Sequence, residues 1–330
     1  MKTWIKAFPA LALAVVLLCT ASAQAVWTEP YGDSFAALFQ LKSIREQISV
    51  STALVGTRLY SLTGKGTVFS FDAQTREYEE FSHVPAFPSV DLEIPLARQS
   101  AADRKAMEDG VSQLVAGTDG SGLYGINRMT GAVGLIDREG IHYQEVRLDT
   151  SPFFAPGSDY PEYPLYLPEI RNGILDGYII RDPDGSPCLT WLSFTLKDGT
   201  CVTAELPGAF GLCRWKEDQL LAAVRKDSGA YELAVCDRQG NRLGALGTDL
   251  AAVIEDKSAS LADLTETEGR MAWSEADQTL YYMNSQYLWK STDDAGFEQI
   301  DRSATPFLSG QSLLTSPDGK LLVFYLYLRK

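Results

Sequence analysis

The chain is 330 residues long and carries a formal net charge of −14, with 43 acidic residues against 29 Lys and Arg. That excess of negative charge argues against nucleic acid and anionic lipid surfaces as partners, since both are gripped by clustered Lys and Arg. With 45% hydrophobic residues, a chain of this length can build one large β domain or two ordinary ones.

The first residues have the pattern of an export leader. Lys2 and Lys6 precede an unbroken apolar run from Ala10 to Leu18, and Ala21-Ser22-Ala23 and Ala23-Gln24-Ala25 offer small-residue cleavage sites. The run is shorter than the roughly 20 residues that a membrane span requires. A signal peptide over 1–25 is expected, cut near Ala25, with the mature domain over 26–330 secreted or at the cell surface. A lipid anchor on Cys19 is disfavoured, because Leu18 stands where such signals carry a small residue. No second apolar span follows.

Taken in chain order, 33–48 places Leu38, Leu41, Ile44 and Ile48 on one helical face behind Asp33 or Ser34 as N-cap, which predicts a helix. A first strand-rich unit covers 58–84. Residues 100–110 read as a short helix with Ser100 and Asp103 as capping box and Gly110 as its stop. Further units cover 113–148, 174–206, 210–247 and 270–301, and the last, 307–328, breaks off after two strands. Each unit holds short apolar strands separated by Gly, Asp and Asn turns, as antiparallel hairpins require. Residues 248–268 are polar and acidic and interrupt the series. No helix of useful length lies between strands, which excludes alternating βαβ architecture.

A period of roughly 35 to 45 residues with four strands in each predicts an all-β fold, a β-propeller of roughly six or seven four-stranded blades with short helical insertions. The truncated last unit raises the question of closure. Strand-like "AVWTEPY" (25–31) and "ISVSTALV" (48–55) could complete it; alternatively the natural polypeptide continues past Lys330.

Three stretches carry a resemblance at this point. "SPDGKLLVFY" (316–325) resembles the turn of Tol-Pal-type and WD-like propeller repeats. "LYGINRMTGAV" (123–133) is similar to the blade turn of quinoprotein-like bacterial propellers, although Gly134 and Leu135 occupy the region where the docking Trp of that motif belongs. "KSTDDAGFEQI" (290–300) loosely resembles the Asp-box turn of sialidase-type propellers, with one residue inserted. The resemblance implies the fold of a bacterial secreted propeller repeat protein; it implies no particular activity.

Candidate chemistry is sparse. The two histidines, His83 and His142, fall in outer-strand positions and read as surface or packing residues. No G-x-S-x-G, H-E-x-x-H, C-x-x-C or phosphate-cradling Gly loop occurs. Asp182-Pro183-Asp184-Gly185 has calcium-type ligands but is also what a tight turn uses. No metal and no cofactor is expected. Cys188, Cys201, Cys213 and Cys236 permit three pairings, yet Cys188 and Cys201 fall at opposite ends of one hairpin, and free thiols are expected. Arg58, Arg98, Arg171, Arg214 and Arg270 could in principle grip a carboxylate, as a sialidase does, but spacing alone brings no three of them together. Trp191, Trp215, Trp273 and Trp289 lie within strands and read as core.

The most unusual stretch is 151–168, "SPFFAPGSDYPEYPLYLP". Its prolines remove ladder donors and fix φ, which predicts an extended connector across one end of the ring rather than a central strand. Its rings can pack onto neighbouring blades, or Phe153, Tyr160, Tyr163 and Tyr166 can form an aromatic rim for a ligand. The expectation is an exported, non-enzymatic module that binds a protein, peptide or glycan. The alternatives are a carbohydrate-active propeller enzyme (glycoside hydrolase or sialidase-like), or the N-terminal propeller of a longer solute-binding or envelope protein.

Overall fold

The computed structural model describes residues 24–27, 38–41, 49–72, 75, 77–88, 94–181, 188–216, 219–226, 228–247, 270–283, 287–291, 296–302, 313–315 and 322–324. Strand β1 (Gln24–Trp27) pairs antiparallel with β2 (Leu38–Leu41). The helix expected over 33–48 is therefore replaced at 38–41 by a strand, its alternation satisfied by a ladder partner instead of a helical face. The rest of that segment, Asp33 and Ser34 included, lies outside the described residues.

Five four-stranded antiparallel meanders follow. The first sheet runs β3 (Ser49–Val55), β4 (Arg58–Thr63), β5 (Thr67–Asp72) and β6 (Tyr78–His83). The second runs β7 (Gln113–Gly117), β8 (Gly122–Ile126), β9 (Ala132–Asp137) and β10 (Gly140–Arg147). The third runs β11 (Tyr166–Arg171), β12 (Ile174–Arg181), β13 (Cys188–Thr195) and β14 (Cys201–Pro207). The fourth runs β15 (Ala209–Trp215), β16 (Gln219–Arg225), β17 (Tyr231–Asp237) and β18 (Arg242–Leu246), and the fifth runs β19 (Arg270–Ser274), β20 (Thr279–Met283), β21 (Tyr287–Ser291) and β22 (Phe297–Arg302). Strands β23 (Leu313–Thr315) and β24 (Leu322–Phe324) pair with each other as a sixth, two-stranded sheet.

The arrangement of these sheets is that of a propeller, an all-β ring of blades. The first strand of each sheet faces the hub: β3 lies beside β7, β7 beside β11, β15 beside β19, and β19 beside β23. Between the third and fourth sheets the inner strands are joined by the Glu169–Arg214 ion pair. Period-2 alternation supplies the packing, because successive side chains on a strand point to opposite faces. Leu114 and Ala116 of β7 pack on the first sheet while Val115 packs on the third. Leu220 and Ala222 of β16 pack on the third sheet, and Leu221 and Ala223 on the fifth. Middle strands buried on both faces read as unbroken apolar runs, which is why "LLAAV" shows no alternation.

Among the described residues the two stretches that could complete the last unit pair elsewhere. Ser49–Val55 of "ISVSTALV" is the inner strand of the first sheet, and β1 pairs with β2 rather than with β23 or β24 among the described residues. The Ser316–Gly319 turn, the acidic stretch 248–268 and the Asp182–Gly185 turn lie outside the described residues.

The short helix forms as the sequence predicts. Helix α1 (Ala101–Asp109) begins at Ser100, whose Oγ accepts from the Asp103 amide at 3.0 Å and donates to its carboxylate at 2.6 Å, and it ends at Gly110. It is the one α-helix among the described residues, and no described helix is long and apolar enough to cross a membrane. The Thr-Gly turn of the second sheet has a backbone reason. Gly131 sits at φ 72°, and its carbonyl accepts from the Leu148 amide at 2.8 Å. A Cβ there would be driven into the Leu148 carbonyl.

All four described cysteines are free thiols. Cys188 pairs with Pro207 and Cys201 with Phe194, at opposite ends of the β13–β14 ladder. Cys213 and Cys236 sit on opposite faces of the fourth sheet. Burial pushes the Cys201 thiol up to about 11 and raises Cys213 further, so neither is poised as a thiolate.

Candidate functional site

Two long connectors meet at one end of the ring. One leads from β6 to β7 and carries α1; the other, 148–165, leads from β10 to β11. The proline-rich segment is not a continuous extended strap. It opens with a 3-10 turn at Ser151–Phe153, folds back through a bridge between Phe154 and Pro161, and returns with the Tyr163 amide donating to the Phe153 carbonyl at 3.0 Å. Its last three residues, Tyr166 to Pro168, belong to the inner strand β11, a correction to the connector boundary. Proline is tolerated in that strand because the register shifts between Tyr166 and Glu169, so the ladder is already broken at Pro168.

The four expected rim residues divide into two pairs. Phe153 is fully enclosed and stacks on Phe194 with centroids 5.7 Å apart. Tyr160 is buried and fastens the two connectors: its hydroxyl donates to the Ile94 carbonyl at 2.6 Å and accepts from the Gln99 side-chain Nε2 at 2.9 Å. Beside it, Asp159 accepts from the Leu96 amide at 3.2 Å. In this arrangement Phe153 and Tyr160 present no ring face to a ligand. Tyr163 and Tyr166 are half-buried at the surface. Tyr166 stacks on Tyr178, with centroids 5.5 Å apart and planes at 23°.

Two arginines that the sequence did not single out converge on Tyr163. Arg128, on the β8–β9 turn, donates through Nη1 to the Tyr163 carbonyl at 2.9 Å. Arg181, at the end of β12, sets its guanidinium 5.8 Å from the centroid of the Tyr163 ring and reaches the Pro152 carbonyl at 3.4 Å. Burial pulls the Arg128 guanidinium down to about 10, against a weaker opposing pull from Tyr166. The Gln113 side chain donates to the neighbouring Leu165 carbonyl and completes the floor.

Of the five arginines named from the sequence, Arg58 and Arg214 are employed in ion pairs elsewhere, and Arg171 is half-buried at the end of β11, opposite Ile174. Arg58 is tied to Asp72 at 3.2 Å and Glu79 at 2.8 Å in the first sheet. Arg214 is tied to Glu169, Arg98 is exposed, and the Arg270 side chain lies outside the described set.

A second charged group lies between the third and fourth sheets. Asp176, 1% exposed, accepts from Ser193 at 2.6 Å and from Arg238 at 2.7 Å. Glu169 is its cross-strand partner. Burial raises the Asp176 carboxyl above the usual range, against the opposing pull of Ser193, Arg238 and Arg214. Two carboxylates and two arginines therefore do meet, but each carboxylate is engaged by an arginine, which suits a buried blade-to-blade tie. The histidines are exposed on outer strands, His142 within 2.9 Å of Asp137.

No protein-family model matches the chain, and no curated protein matches it. Among solved structures, a chain of the mitotic checkpoint complex is similar at 13% identity and a TM-score of 0.46, covering 93% of this chain and 80% of that one. The sialidase of Trypanosoma rangeli is similar at 12% identity and a TM-score of 0.45, covering 91% of this chain and 56% of its own. The structure of U3-55K is similar at 10% identity and a TM-score of 0.44, covering 87% of this chain and 90% of that one.

Proposed function

We propose that this chain is an exported, non-enzymatic β-propeller that binds a peptide or protein at the end of the ring built by its two long connectors. The observation that carries the reading is the seating of Tyr163 and Tyr166 on a pre-fastened platform. The Tyr160–Ile94–Gln99 contacts hold both connectors in place before any ligand arrives, and binding to an ordered surface loses less conformational entropy. Tyr combines apolar area with a polar tip, which suits such a surface. A peptide is favoured over a glycan because sugars stack on open ring faces, and here Phe153 is enclosed while Tyr178 and Arg181 already occupy one face each of Tyr166 and Tyr163. Export follows from the leader pattern over residues 1–25.

The test is a peptide and glycan binding array probed with the secreted protein and with a Tyr163→Ala/Tyr166→Ala variant. The expected result is peptide binding that falls about ten-fold or more in the variant, as loss of central aromatic contacts produces. Binding that survives the double change, or that is confined to glycans, overturns the proposal.

A further inference from the structure

We infer that Arg128 and Arg181 form an anion subsite beside Tyr163 that takes a carboxylate of the bound peptide, an inference that rests on the peptide-binding reading above. Both guanidiniums touch the same residue, one at its carbonyl and one over its ring. Among the described residues neither has a carboxylate partner; their acceptors are the backbone carbonyls of Tyr163 and Pro152. Among the described residues the Nε–H of each is sealed from solvent without an acceptor, as is that of Arg214. Buried donors in folded proteins are nearly always satisfied, and a buried guanidinium is costly without a counter-charge.

Arg104 and Arg147 also bond backbone carbonyls, but five other arginines provide a contrast. Arg58, Arg138, Arg214, Arg238 and Arg242 each hold a carboxylate, in a chain whose acidic residues outnumber its basic ones. Arginine presents a planar fork of donors that matches a carboxylate geometrically. The depressed Arg128 guanidinium has the same origin, since an anion placed beside it would restore the charged form. The aromatic neighbours supply apolar contact for the peptide chain around the charge.

Fluorescence anisotropy with a labelled pentaglutamate peptide and its pentaglutamine counterpart tests the assignment on the secreted protein. Pentaglutamate is expected to bind about ten-fold or more tightly than pentaglutamine. Arg181→Gln is expected to remove that preference, Arg181→Lys to restore part of it, and Arg98→Gln, on an exposed turn, to leave it intact. Arg128→Gln also loses the tie to Tyr163, so its thermal melt is compared with that of Arg181→Gln, which keeps that tie. Failure of pentaglutamate to bind, equal affinity for the two peptides, or wild-type affinity in Arg181→Gln overturns the anion subsite. An array peptide that depends on Tyr163 and Tyr166 but not on charge leaves peptide binding standing while removing the subsite. Absence of any peptide binding removes both.

Discussion

Asn127 is fully buried and uses both ends of its side chain. Its Nδ2 donates to the carbonyls of Met107 at 2.7 Å, Glu108 at 3.1 Å and Gly110 at 2.7 Å, which are orphan acceptors at the end of α1. Its Oδ1 accepts from the amides of Met129 and Thr130, each at 2.9 Å, shaping the β8–β9 turn that carries Arg128. Asn127→Ala strands acceptors and donors together and is expected to cost on the order of 3–5 kcal/mol, read as a lower urea midpoint at unchanged slope. Asn127→Asp should be as damaging, because an oxygen would then face three carbonyls. In the sequence Asn127 is legible only as a turn residue. The same is true of Arg128 and Arg181: residues far apart in the chain meet on Tyr163 through the stacking of two blades, and no local pattern encodes that meeting. Tyr160 and Phe153 were visible as unusual, but whether a ring faces outward depends on partners such as Ile94 and Phe194 that only the fold brings near.

At the scale of elements, the turn between the third and fourth strands is built alike in four successive sheets. An aspartate in it accepts from an amide further on, as the last residue of the third strand in three sheets and inside the turn in the other: Asp72 from Thr75 at 3.1 Å, Asp137 from Glu139 at 2.8 Å, Asp198 from Thr200 at 3.1 Å, and Asp237 from Gln239 at 2.9 Å. The bond to the Glu139 amide holds Asp137 below the usual carboxylate range, and bonds from Thr200 and Asn241 do the same for Asp198 and Asp237. A depressed folded-state value means stabilisation that is present above the unfolded value of about 3.9 and lost as pH falls through the folded value. Asn at all three positions keeps the accepting oxygen and removes the titration. The triple variant should therefore lose less stability than the parent between about pH 5 and pH 2, in denaturant titrations run across that range. These turns are also why the blades could be read from sequence, since Asp and Gly mark each reversal. Two inner strands escaped that reading for opposite reasons. β3 has the right composition but no turn before it to assign it to the first sheet, and β11 is disguised by Pro168, which a register shift accommodates. The 38–41 segment has apolar spacing that fits either period, and pairing with β1 decides it.

At the scale of the whole molecule, neighbouring sheets meet mainly through side chains among the described residues, with one strand-to-strand ladder between them. β7 and β11 pair in parallel, Ala116 with Glu169 and Gly117 with Ile170, and the Thr118 amide donates to the Ile170 carbonyl at 2.9 Å. The second and third sheets are thereby a single eight-stranded sheet. Native-state hydrogen exchange is expected to show the amides of both sheets opening together, about ten-fold or more slowly than those of the fifth sheet, since units sharing a backbone ladder open cooperatively. Independent exchange of the two sheets would contradict this. The weld ties the seam between these sheets at the C-terminal ends of β7 and β11, and Arg128, Tyr163 and Arg181 gather at the other end of the same strands. Breathing of the ring is thus displaced to the other seams, and a visitor at this mouth meets a fixed anvil rather than a closing jaw.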